Sequence, residues 1–433
     1  MGLFPLKKKD PDGPKLWTSD FSILIGGSFI SLAGSFVISM ALGLLVLDLT
    51  GSSIYYSLLL AITNASGVIV PVLMASLMDR VSKRKMIYLL DFGTTAILLI
   101  MLLVYELGYM EGITILVYTA IIGIFSNVYK VVYQSLFPQL VDKRNYSKAY
   151  SIESLVTTFA ETGNLIAVAC YTIFGVRAVL LVSAACYFIA ACFETRIKYD
   201  DPTCTRAESS SGARYVKDLK DCWNYLKTHK GLLIITVLGF FVYYAYGALY
   251  TIALPHFKFT HANGEYYYML LMAFLSTGQF WGGTINYKLR IKPKKRFGFY
   301  FIFLIIELAI AAVFLHTPWY ISIGLMFIFG ILTIITYSTR AAVVYATLSK
   351  EMYTRYSGFN QAITMLGYLL GTLVGGAFTE FFPAPLVMSL LSITILIIVS
   401  AICLGFRRSI SDVFEADTFE ASIEAQNSTP LSE

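Results

Sequence analysis

Along the 433 residues, apolar stretches long enough to cross a bilayer alternate with short polar turns. A helix needs about 20 apolar residues to span roughly 30 Å of hydrocarbon. Runs of that length lie at approximately 19–47, 53–78, 86–106, 112–137, 148–174 and 176–195, and after a polar break at 231–256, 264–287, 297–315, 318–347, 357–381 and 384–406. They are continuously apolar rather than alternating, which predicts helices and not barrel strands, since lipid offers no partner to an open backbone. The pattern predicts an all-α membrane protein of about twelve transmembrane helices in two sets of six.

The break sets the domain organisation: an N-terminal six-helix bundle over 1–195, a cytoplasmic linker over 196–230, a C-terminal six-helix bundle over 231–406 and a tail over 407–433. In the linker, Val216, Leu219, Trp223 and Leu226 recur at helical spacing against charged neighbours, which predicts an amphipathic helix along the cytoplasmic surface. The tail is acidic, Ser-rich and poor in apolar residues, so it is predicted to be disordered. A short pattern recurs between the halves. Ala75 precedes Asp79 as Gly282 precedes Asn286, and Lys130 in the fourth span has Arg340 in the tenth as its counterpart. Pseudo-symmetric bundles related by an axis along the membrane normal hold substrate near the midplane between them.

Composition agrees with this pattern: 57% of residues are hydrophobic and 14% charged, more apolar surface than a soluble core hides. Bases collect on one side. Lys7, Lys8, Lys9 and Lys15 precede the first span, Arg80, Lys83, Arg84 and Lys85 follow the second, and Lys143, Arg144 and Lys148 follow the fourth. The opposite loops carry Arg177 and Lys258. The positive-inside rule then predicts a multi-pass protein of the cell (inner or plasma) membrane with both termini cytoplasmic. Six cysteines show no metal-ligand spacing and are expected to be reduced. The four histidines are scattered, and no P-loop, His-Glu-x-x-His or Gly-x-Ser-x-Gly appears, so neither an enzyme nor a metal or other cofactor is expected. The expected partners are membrane lipid, a small-molecule substrate and a coupling proton, with no nucleic acid and a monomeric chain.

The segment Ala75-Ser76-Leu77-Met78-Asp79-Arg80-Val81-Ser82-Lys83-Arg84 resembles the loop signature of the major facilitator superfamily, with Ala75 and Ser82 where glycines are usual. Leu44 to Ser52, Leu136 to Val141 and Asp218 to His229 are similar to the branch of bacterial multidrug, macrolide and siderophore exporters. One departure is Gly163-Asn164-Leu165-Ile166-Ala167-Val168, which keeps only the first glycine of the antiporter signature of the fifth helix. The resemblance implies alternating access. It also implies a cytoplasmic gate made by Asp79, Arg80 and Arg84, and Asp91 early in the third span lies within reach of that cluster.

Charges inside the spans are the other candidates, because an ion at mid-bilayer costs about 2.5–3.5 kcal/mol on insertion scales. Lys130 shares a helical face with Asn127 and Gln134, and Glu153 and Glu161 form a stripe in the fifth span. A pair between Lys130 and either acid is a coupling site or a permanent structural lock. Arg340 adds a second cation, and two bases facing one cavity favour an anionic or zwitterionic substrate. Tyr243, Tyr246 and Tyr250 share a face of the seventh span and are candidate pocket residues for an amphiphile. Glu307 falls in the ninth span, which the superfamily places at the periphery, and is expected at a structural or lipid-interface position. The function expected is secondary active transport, with proton-coupled efflux of bulky amphiphilic molecules ahead of uptake symport, lipid flipping of an anionic or zwitterionic substrate, or a non-transporting sensor of the same fold.

Overall fold

In a computed structural model of the chain, the residues described are 16–74, 82–142, 163–199, 211–288, 293–348 and 352–415, with 149, 152, 153, 156 and 291. The first four helices are α1 (Ser19–Thr50), α2 (Ser53–Met74), α3 (Lys83–Glu106) and α4 (Gly112–Leu136). Then come α5 (Gly163–Glu194), α6 (Ser211–Thr228), α7 (Lys230–Thr260), α8 (Gly264–Lys288) and α9 (Pro293–Val313). The chain continues with α10 (Trp319–Thr347), α11 (Tyr353–Thr379), α12 (Ala384–Gly405) and the short α13 (Arg407–Glu415).

Local chemistry sets the ends. Thr18 Oγ1 accepts the Phe21 N–H at 3.2 Å and caps α1, which stops at Gly51 with φ 63°. α5 is broken at Gly175, whose φ of 77° and ψ of 178° suit a residue with no Cβ. Among the described residues nine helices are long and apolar enough to cross a membrane. α2, α8 and the part of α5 before Gly175 fall in the remaining expected spans, and most of 148–162, the start of the fifth, lies outside the described residues.

The chain divides into two compact units. The first comprises Met1–Ala41, Met74–Tyr109 and Ile124–Glu208; the second comprises Leu42–Leu73, Met110–Gly123 and Ser209–Glu433. The second unit thus takes in the end of α1, most of α2 and the start of α4 together with everything from α6 onward.

Lipid is as apolar as a leucine side chain, so helices inside it associate through close packing rather than through water expulsion. Two seams of the second unit show how. Between α7 and α11, a Cβ on Gly247 would lie 2.1 Å from the Tyr368 carbonyl oxygen, and one on Gly371 would lie 1.9 Å from that of Tyr244. Between α8 and α10, Gly278 and Gly330 meet the carbonyls of Phe327 and Leu275 in the same way, at 2.1 and 2.2 Å.

Both segments outside the apolar spans are held by apolar side chains. The linker helix forms as α6, but its apolar face packs on its own unit: Cys222 and Leu226 are fully buried, Trp223 meets Phe359 and Asp221 pairs with Arg355 at 3.5 Å. The first nine residues of the expected disordered tail are α13. Ile410 and Phe414, four apart, are both fully buried, with Phe414 against Phe297 and Tyr300. Composition averaged over the tail hides this one apolar pair.

Candidate functional site

The second unit contains a cavity of about 320 Å³. α7 supplies Tyr243, Tyr246 and Tyr250, which fall on one side because three and four residues each return the helix to nearly the same angle. α10 supplies Thr333, Thr336, Tyr337 and Arg340 from its opposing side. α8, α9 and α11 complete the wall with Gln279, Tyr300 and Tyr368. Six tyrosines and one guanidinium thus line one cavity, with Tyr243 and Tyr300 near enough to Arg340 to interact with it electrostatically, giving flat apolar faces with hydroxyl tips and a fixed positive charge.

Arg340 is 8% exposed. It lies against α7 at Gly239, where a Cβ would be 2.0 Å from a guanidinium nitrogen, so the glycine makes the space that the arginine fills. Among the described residues no carboxylate comes within ion-pair distance of it. Glu307 on α9 interacts with it only at longer range.

Glu307 is fully buried. Tyr246 donates its hydroxyl to Oε1, Thr333 donates to the same oxygen at 3.0 Å, and Thr336 donates to Oε2 at 3.1 Å. A lipid-interface position is therefore corrected: the carboxylate points into the bundle and holds a cavity-lining tyrosine by its hydroxyl. The usual peripheral place of the ninth span says nothing of its inward face, which is where this acid lies.

The remaining candidates lie elsewhere. Asn127, Lys130 and Gln134 run along α4 in the first unit, with Asn127 half-buried and Lys130 and Gln134 exposed. Glu153 is half-buried in a helical stretch, while Glu161, Asp79 and Arg80 lie outside the described residues. Arg84 donates to the Thr195 carbonyl at 3.4 Å. Asp91 is 2% exposed and takes a hydrogen bond from Ser31 at 3.2 Å, so it faces the interior of the first unit. Glu194, which sequence reasoning misses because it stands where a span gives way to a polar loop, is fully buried, near enough to Asp91 to interact with it electrostatically, and accepts from Tyr129 at 2.6 Å.

A third polar cluster belongs to the second unit. Lys258, near the end of α7, pairs with Asp48 of α1 at 2.6 Å and with Glu265 of α8 at 3.2 Å. Nearby in sequence, the α1–α2 turn is tied to the end of α11, because Glu380 accepts from the Ser52 hydroxyl and from the Ile54 N–H at 2.9 Å.

Three comparisons bear on this arrangement. A family profile described as Major Facilitator Superfamily matches residues 24–344. Comparison with curated protein sequences gives no match. Among solved structures, the nucleoside transporter NupG aligns with a TM-score of 0.65 at 13% identity, covering 90% of this chain and 99% of that one. A bacterial homolog of the human lysosomal transporter Spinster, inward-facing and occupied, aligns at 0.63 and 15% identity over 96% of both chains. An auto-inhibited POT family peptide transporter aligns at 0.62 and 14% identity, over 90% of this chain and 97% of that one. At such identities the likeness is one of fold.

Proposed function

The chain belongs to the major facilitator superfamily, a family of membrane transporters rather than enzymes, and from that premise we propose that it is a secondary active transporter working by alternating access. Its substrate is an amphiphilic small molecule with an acidic group and an aromatic or apolar body. The observation that carries this reading is Arg340, a buried guanidinium without a carboxylate partner among the described residues, set in a cavity walled by six tyrosines. An anionic group of the substrate supplies the missing counter-charge, bidentately where it is a carboxylate or phosphate. The volume of about 320 Å³ falls at the lower end of small-molecule sites.

Proton-coupled export is the direction we propose, on the likeness of the segments at 44–52, 136–141 and 218–229 to the exporter branch. Uptake symport of the same anionic or zwitterionic class is the second reading, favoured by the same Arg340. The location is the cell membrane, with both termini on the side where the bases collect.

The test is flux of a panel of anionic, zwitterionic and cationic amphiphiles in proteoliposomes with an imposed pH gradient. Gradient-driven movement of acidic members, lost in Arg340→Gln, supports the reading. Movement of cationic members alone refutes the substrate class, and binding without movement of any compound refutes transport in favour of a sensor.

A further inference from the structure

Two acids of the first unit take no part in the cavity just described. Asp91 on α3 is 2% exposed, and Glu194 at the end of α5 is fully buried. The two carboxylates interact electrostatically with each other. One oxygen of each is satisfied: Ser31 of α1 donates to Asp91 Oδ1 at 3.2 Å, and Tyr129 of α4 donates to Glu194 Oε1 at 2.6 Å. The other oxygens, Asp91 Oδ2 and Glu194 Oε2, are buried and have no hydrogen-bond partner among the described residues.

The surroundings are built for the pair. A Cβ on Gly27 of α1 would lie 2.8 Å from Glu194 Cγ, so the glycine leaves the groove in which that side chain rests. Tyr187 of α5 is near enough to interact electrostatically with Asp91. Among the described residues the nearby cations are Lys83, eight residues and roughly 12 Å before Asp91 along α3, Arg84, whose guanidinium bonds to the Thr195 carbonyl, and Arg196, whose guanidinium lies over the Phe193 ring. The two side chains meet α1 one turn apart, Glu194 at Gly27 and Asp91 at Ser31, and two negative charges buried that near each other are unfavourable unless something positive joins them. Two open carboxylate oxygens flanked by hydroxyls are what such a species would meet.

We propose that Asp91 and Glu194 form a monovalent-cation site, filled by a proton shared between the two carboxylates or by a hard cation such as sodium. An all-oxygen donor set suits a hard cation and not a soft transition metal. The ion's use in driving flux rests on the transporter reading, but its binding does not.

The test therefore follows binding without substrate. Thermal unfolding of the purified full-length chain in detergent is recorded while sodium replaces choline at constant pH and ionic strength, and separately while pH is lowered in choline. The unfolding midpoint is expected to rise with sodium if a hard cation fills the site, or with acid alone if a proton does. Asp91→Asn and Glu194→Gln are each expected to abolish the rise. A wild-type chain indifferent to both titrations overturns the proposal, as does either variant responding like wild type. Should the isosteric variants not fold, Ser31→Ala and Tyr129→Phe remove one hydroxyl each and are expected to shift the sodium or pH midpoint; an unshifted midpoint in both overturns it equally. Flux in the Arg340→Gln protein reports on the transporter reading separately, so the two ideas fail by different measurements.

Discussion

The contact between Glu307 and Tyr246 is the sharpest place to test how the cavity is held. In Glu307→Leu the Tyr246 hydroxyl loses its carboxylate acceptor and keeps only the Thr333 hydroxyl in reach, a cost of up to about 1–3 kcal/mol. The two threonines lose little. The single proton of each threonine hydroxyl has a second acceptor in reach, the Phe329 carbonyl 2.8 Å from Thr333 Oγ1 and the Leu332 carbonyl 3.0 Å from Thr336 Oγ1, so each has a bond to fall back on. Removing a buried carboxylate relieves its own desolvation, which offsets part of the loss. The single substitution is thus a difference of opposing effects, and the coupling between two substitutions is the decisive number. Tyr246→Phe alone leaves Glu307 short of one of three donors, about 1.5–3 kcal/mol for a bond to a charged acceptor. The double variant strands neither group, so its loss should fall short of the sum of the singles by about 1 kcal/mol or more. Equilibrium unfolding of the four proteins in detergent measures this. Losses that add to within about 0.5 kcal/mol would mean that Glu307 does not hold Tyr246, and the argument fails.

Other outcomes are as definite. Lys258→Met leaves Asp48 and Glu265 facing each other without their cation, with side-chain exposures of 44% and 20%. The loss should lie between the ~1 kcal/mol of an exposed pair and the ~3–5 kcal/mol of a buried one, and Asp48→Asn, which leaves the Glu265 pair intact, should cost less in the same unfolding assay. Gly371→Ala puts a methyl 1.9 Å from the Tyr244 carbonyl and should cost at least about 1–3 kcal/mol, whereas Gly283→Ala meets nothing within 4 Å and should be neutral or slightly stabilising; thermal midpoints that do not separate them refute the seam. Burial pushes the Cys222 thiol up to about 11, so at neutral pH it stays protonated and unreactive. The wild-type chain and Cys222→Ser should label with maleimide equally, and faster wild-type labelling would show that α6 is not docked.

The spans are legible in the sequence because lipid imposes a length and an apolarity that few other contexts demand, and the break at Gly175 falls where two adjoining apolar runs separate. The tyrosine stripe on α7 is legible for a similar reason, since 243, 246 and 250 align on a helix whatever surrounds it. Tyr300, Tyr337 and Tyr368 escape notice because each comes from a different helix, and one sequence does not say which helices face one another. Glu194 and Glu307 are missed or misplaced on the same ground: in a helix apolar all round, no periodicity marks the inward side. The docking of α13 rests chiefly on Ile410 and Phe414, with Val413 packed beside them, three residues in a stretch whose average composition is that of a solvated tail.

The glycine contacts along α7–α11 and α8–α10 carry one more consequence. Where main chains touch, neither helix has side chains on which to roll, so the rotational setting of each pair is locked like a key in its ward. Insertion of a single residue in α7 between Tyr243 and Gly247 would swing Tyr243 by about 100° away from Tyr250. The cavity's wall can therefore change residue by residue, while the frame presenting it tolerates almost no change in length.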